Sequence, residues 1–201
     1  GLQLAVTGYA APIADRRLPM PRMRRVVTLC LWDQEESLDR YLRAQRPAHP
    51  FSSGWRVRLR PVRANGAWPG VPQDLPKSRA AVHEGPAVVL AMARVRPHRF
   101  LAFLRSNRSA SASAVAAPGL LWATGMTRPP QVGTISVWDS TRTMATYAYG
   151  RADGGHPQAI EADATKPFFT RQAFVRFDPY LSEGSIDGVD PLERSLDLAT
   201  K

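Results

Sequence analysis

The residues from which this chain could build a reaction centre are few. There are four histidines, His49, His83, His98 and His156. No two of them have the i, i+4 or His-x-His spacing that a zinc or non-haem iron site requires, and no His-Glu-x-x-His occurs. His49 lies in an Arg-Pro-Ala-His-Pro loop, His83 in a Pro- and basic-rich connection, and His98 opens a short helix where it caps or faces solvent. His156 follows Gly154-Gly155; taken alone it is a surface-loop histidine. Cys30, the single cysteine, excludes an internal disulfide and reads as a small buried hydrophobe on an apolar strand. No Gly-x-Ser-x-Gly elbow, phosphate-binding glycine loop or Gly-x-Gly-x-x-Gly is present, so acyl, phosphoryl and nucleotide-dependent hydride transfer lack their usual signatures. Two arginines stand out by position. Arg58 in Val-Arg-Leu-Arg-Pro and Arg176 in Val-Arg-Phe-Asp-Pro occupy matching places, each alternating with apolar neighbours. If that side faces a cavity, a guanidinium there can pair with a carboxylate; otherwise it is an edge-strand arginine that discourages aggregation. The edge reading suits Arg58, and Arg176 stays open. Tyr147 falls on an apolar helical stripe, whereas Tyr149, two residues on, faces elsewhere and is the better ligand-bonding phenol.

The elements holding these residues come in two copies. Gly1-Leu2, Leu31-Trp32-Asp33, Leu38/Tyr41 and Val57–Pro61 recur in order as Gly119-Leu120, Val137-Trp138-Asp139, Met144/Tyr147 and Val175–Pro179. Thr28 to Trp32 and Thr134 to Trp138 alternate with period two, so each predicts a strand. Asp33, and Asp139 or Ser140, supply N-cap oxygens for helices with i, i+3, i+4 apolar stripes. Trp55 to Arg60 and Gln172 to Phe177 predict closing strands. Ala87 to Val95 is an apolar run of strand length, and Pro97 opens a helix carrying Phe100, Phe103 and Leu104. Ser106 to Ala117 is ambiguous between helix tail and loop.

Residues 87–180 therefore predict βαββαβ, the ferredoxin-like order, and residues 1–70 predict only ββαβ. The fold class expected is α+β: two tandem ferredoxin-like repeats forming a barrel of the dimeric α+β type, the first repeat lacking its opening strand and helix. Those missing elements are expected to precede Gly1 in a longer product. Residues 71–86 form the linker and 181–201 a C-terminal tail. Two bare sheet faces pressed together would carry Thr28, Cys30, Trp32, Thr134, Ser136 and Trp138, small groups beside large aromatics, which suit either a pocket lining or a close fit to bulky neighbours.

Composition bounds the rest. The 201 residues are 44% hydrophobic and 22% charged, with no apolar run long enough to cross a membrane and no basic start of a secretory signal. A cytoplasmic location is expected. The net charge is +10, and of 27 basic residues only Lys77, Lys166 and Lys201 are lysines. Scattered arginines fit a solvated surface; attraction to an anionic partner is the other reading. RNA binding through an RRM-like sheet is the rival function, because Ala173–Phe177 matches the end of an RNP1 octamer. It falls on the fourth strand instead of the third, so nucleic acid is not the expected partner.

The segments Ser136–Gly150, Gly155–Ile160, Arg58–Gly70, Leu121–Gly125 and Phe168–Phe177 resemble the spheroidene monooxygenase family. The resemblance implies a two-repeat α+β barrel and a haem-dependent monooxygenase acting on a carotenoid or another hydrophobic substrate with O2. It implies His156 as axial iron ligand, the metal residue of the site; with a haem there, the positions read above make Arg176 and Trp138 the further cofactor-binding residues expected and Tyr149 the catalytic one. The electron donor is not identified, and self-association is left open. A non-catalytic α+β barrel that binds a ligand is the alternative.

Overall fold

The computed structural model describes residues 1–13, 21–44, 54–76, 85–149 and 167–193; within these, the side chains of 106–111 are left aside. Residues 1–44 form β1 (Leu2–Ala11), β2 (Arg22–Trp32) and helix α1 (Glu35–Ala44). Next comes β3 (Arg56–Gly66). Beyond residue 85 the order is β4 (Ala87–Val95), a 3-10 turn (Pro97–Arg99), α2 (Phe100–Val115), β5 (Leu120–Arg128), β6 (Gln131–Trp138), α3 (Thr141–Tyr149) and β7 (Phe169–Glu183). The apolar run Ala87–Val95 is β4 residue for residue. The Ser/Ala-rich stretch is helical to Val115. The closing strands run further than their periodicity signals, because each finds a long partner in the other.

The seven strands form one antiparallel sheet in the order β2-β1-β5-β6-β4-β7-β3. Within it β5-β6-β4-β7 is the arrangement of a ferredoxin-like unit. Two seams join this unit to the first half. Tyr9–Ala11 of β1 pairs with Gly125–Thr127 of β5, and β3 pairs with β7 along nearly its whole length. The sheet curls around a single apolar core. Val6, Leu29, Ala64, Leu90, Met126, Val137 and Phe177, one from each strand, belong to it. The stretches expected as linker and tail contribute too: Val71 is buried, and Leu192, beyond the end of β7, has no exposed surface.

The two hairpins share their pairing in detail. Leu2, Leu4 and Ala5 face Trp32, Leu31 and Cys30. Leu120, Trp122 and Ala123 face Trp138, Val137 and Ser136, with the irregularity at the same place. Asp33 N donates to Gly1 O at 3.2 Å and Asp139 N donates to Gly119 O at 2.9 Å. Gly119 (φ +82°) is required there, since a Cβ would stand 2.7 Å from both Asp139 Oδ1 and Thr143 Oγ1. Trp32 lies against Tyr41 at 5.3 Å, and Trp138 against Tyr147 at 5.1 Å. Of the two N-cap candidates before α3, Ser140 takes the role, its Oγ accepting from Thr143 N at 3.2 Å.

One expectation is reversed. The face bearing Thr134, Ser136 and Trp138 is the helix-covered outer face, and Ile135 and Val137 point into the curl. A period of two fixes which residues share a side but not which side is inside. The branched aliphatics pack the interior, while Trp138 finds its cover in Met144 and Tyr147 of α3.

Candidate functional site

The outer faces of β3 and β7 carry a concentration of arginine. Along β7, Ala173, Val175 and Phe177 point inward, so Phe174, Arg176 and Asp178 point outward. On β3 the outward positions include Arg58, Arg60 and Arg63. Register places Arg63 opposite Arg176 and Arg60 opposite Asp178. Tyr149, the last residue of α3, reaches this group: Arg63 Nη1 donates to Tyr149 Oη at 2.7 Å, and the Arg63 guanidinium stands 5.9 Å from the ring centre.

Arg176 is the unusual member. It is 8% exposed, makes no side-chain hydrogen bond among the described residues, and its Nε is buried without a partner. Burial pushes its pKa below the ordinary arginine value. Arg63 adds to the depression, while the charges of Asp178 and Tyr149 oppose it. Asp178 supplies attraction but no bond, and its own Oδ1 is also buried and unpartnered. A buried cation without a hydrogen-bond acceptor is costly to folding.

Arg58, its counterpart by sequence, is differently placed. Arg58 Nη2 lies 2.8 Å from Asp39 and Nη1 3.4 Å from Glu35, both on α1. Burial alone would lower its pKa, but the hydrogen bond and charge of Asp39 prevail and raise it. On an edge strand with its charge answered, Arg58 fits the edge reading.

The other anticipated residues separate. Arg176 and Tyr149 come together; Trp138 packs with Ser136 and Tyr147 instead. Trp138 is 2% exposed, its Nε1 donates to Ser136 Oγ at 2.9 Å, and its ring stacks on Tyr147. Tyr149 is 45% exposed. His98 is exposed on the 3-10 turn. His49, His83 and His156 lie outside the described residues, as does the glycine-rich loop holding His156. Among the described residues no three His, Cys, Asp or Glu side chains cluster as metal ligands. Arg63 was missed by sequence reasoning, because only the register of β3 against β7 sets it opposite Arg176. Its spacing from Arg58 would have hinted at it had that register been known.

A cleft of about 1450 Å³ opens between the edges β2 and β3, with α1 at its border. Leu29, Leu31, Tyr41, Val57, Leu59 and Trp122 line its apolar part. Cys30 and Trp32 also border it from the opposite side of β2, where Tyr41 of α1 lies against Trp32 as Tyr147 of α3 does against Trp138, so it is not the pocket expected between two bare sheet faces. The Trp32 Nε1 is buried without a partner where Trp138 has Ser136; Cys30 stands in the serine's place.

The chain is 30% identical to the spheroidene monooxygenase of Rubrivivax gelatinosus over 184 residues, which is 89% of this chain and 68% of that protein. It is also 30% identical to the spheroidene monooxygenase of Rhodobacter capsulatus over 186 residues, 87% of this chain and 74% of that protein. No family model matches the chain. Among solved structures, a candidate monooxygenase of Fusobacterium nucleatum aligns at a TM-score of 0.47 and 8% identity, covering 90% of this chain and 80% of that one. An anthrone oxidase-like protein aligns at 0.40 and 12%, covering 92% and 81%. No helix of the described residues is long and apolar enough to cross a membrane.

Proposed function

The chain belongs to the spheroidene monooxygenase family, and we propose that it is a haem-dependent monooxygenase of a carotenoid or similarly long apolar substrate. The observation carrying this reading is 30% identity to two spheroidene monooxygenases across nearly the whole chain. Haem, when bound, would supply activation of O2 at its iron. The residues that would hold it are His156, through its imidazole at the iron, and Arg176 at a propionate. The fit is supported at Arg176, whose buried and unpartnered guanidinium suits a propionate carboxylate. Tyr149, linked to Arg63, would hold a hydroxyl beside that carboxylate and orient it. Trp138 is committed to Ser136 and Tyr147, so its contribution is the rigid floor beneath α3.

The finer architecture we propose is the tandem one, with β1–β3 and α1 as one ferredoxin-like repeat and β4–β7 as the other. Support comes from the shared hairpin registers and the matched Trp–Tyr contacts. In the second repeat β4 lies between β6 and β7. The corresponding place in the first lies between β2 and β3, where the cleft is. An eighth strand there, antiparallel to both neighbours, would close the sheet into a barrel without exposed edges.

The test is spectroscopic. Protein produced in iron-replete cells should carry a Soret band, and with reductant and O2 it should add one oxygen atom to an apolar polyene, detected by mass. His156→Ala should abolish or blue-shift the Soret band, while His49→Ala, His83→Ala and His98→Ala leave it unchanged. A wild-type spectrum in the His156 variant would remove that ligand, and colourless wild-type protein that resists reconstitution would remove the haem.

A further inference from the structure

The pairing of Arg58 and its lack at Arg176 lead to one inference. When the two helix-bearing segments are aligned on Trp32/Trp138 and Tyr41/Tyr147, the acids that answer Arg58 have neutral counterparts. Glu35 corresponds to Thr141, and Asp39 corresponds to Ala145. The replacement is felt in the structure: Thr141 is 1% exposed and its Oγ1 is buried without a partner. The strand opposite differs in the same sense. Arg58 faces Leu181 across the ladder, whereas Arg176 faces Arg63. At one end of the β3–β7 ribbon Arg58 meets Glu35 and Asp39, and Arg56 meets Glu183. Further along, Arg176 faces Arg63, and Arg60 stands opposite Asp178.

We propose that Arg176 and Arg63 form a carboxylate-binding site on the outer face of β3 and β7, beside the end of α3. A carboxylate there accepts from the Arg176 guanidinium, which makes no other hydrogen bond among the described residues, and lies next to the Arg63 guanidinium already oriented by Tyr149. Asp178 lies beside Arg176 along the same strand face and opposite Arg60, so the free carboxylate approaches from the Arg63 side, away from like charge. Planar guanidinium groups suit a carboxylate in two-point contact, which lysines would not provide. The chemistry is the same whether the carboxylate is a haem propionate, as the preceding section would have it, or belongs to a free organic acid. The site itself does not require the haem reading.

The experiment separates these sources. Apoprotein is titrated with hemin and with hemin dimethyl ester, followed by visible absorbance, and with succinate, followed by thermal shift, in wild type, Arg176→Gln and Arg63→Gln. If the propionate is the ligand, wild type binds hemin roughly tenfold or more tighter than the ester, the scale of one charge-assisted bond. Arg176→Gln then binds hemin no better than ester, and Arg63→Gln falls between. If a free acid is the ligand, hemin and ester do not differ, and succinate raises the melting temperature of wild type but not of Arg176→Gln. That result, or protein that takes up no hemin at all while still responding to succinate through Arg176, keeps the carboxylate site and discards the haem contact. Equal binding of hemin and ester combined with no Arg176-dependent response to succinate overturns the proposal. Arg63→Gln, at a less buried position, guards against a folding defect in the Arg176 variant.

Discussion

Replacing Arg176 by methionine should stabilise the ligand-free protein. The guanidinium is 8% exposed, its Nε has no partner, and the facing residue across the ladder is another arginine. Methionine keeps an unbranched stem of similar reach, so the packing of the aliphatic part survives while the uncompensated cation disappears. A buried donor left unmade costs about 1–3 kcal/mol, and exchanging buried ionic groups for apolar ones of similar volume is neutral to about 4 kcal/mol stabilising. Loss of attraction to Asp178 works the other way, since that carboxylate then keeps only Arg60 opposite it. The expected net gain is about 1–2 kcal/mol, or roughly 2–8 °C in melting temperature for a chain of this size. Urea and thermal unfolding of ligand-free protein measure it. Arg58→Met is the control with the opposite sign. It removes the partner of Asp39 and Glu35 and should cost about 0.5–1 kcal/mol, because that pair is partly exposed. A loss of 1 kcal/mol or more in Arg176→Met would show that the guanidinium is structurally compensated and refute the reasoning.

Alkaline stability should depend on Tyr147, whose phenol is pushed up to about 12 by burial against Trp138. The unfolded tyrosine ionises near pH 10 while the folded one stays protonated, so stability should fall between pH 10 and 12 by up to about 1.4 kcal/mol per pH unit. Tyr147→Phe should flatten that decline in unfolding curves, and an unchanged slope would count against the burial. Hydrogen exchange should distinguish β2 from β6. The latter is paired on both sides, so its amides should be protected throughout, whereas alternate amides in Val26–Leu31 should exchange quickly at the cleft edge. Uniform protection along β2 would refute its assignment as an edge.

The chain's local order was legible in its residues. Alternation marked the strands, apolar stripes marked α1 and α3, and the continuous run Ala87–Val95 marked the strand buried on both faces, since each signal needs only neighbours a few residues away. The family was legible too, in segments that carry the resemblance. Which side of each strand faces inward was not. Both faces of β6 are covered, one by the curl and one by α3, so the small residues beside Trp138 suited a pocket as well as a close fit until Tyr147 proved to stack on that ring. Nor could sequence say what Arg58 and Arg176, two arginines in matching surroundings, would each meet. Their difference lies in what approaches from far along the chain: Glu35 and Asp39 on α1 for one, Arg63 from β3 for the other. Period and propensity are properties of a segment, whereas the charge a buried guanidinium meets is set by register between segments, and only the folded sheet sets that register.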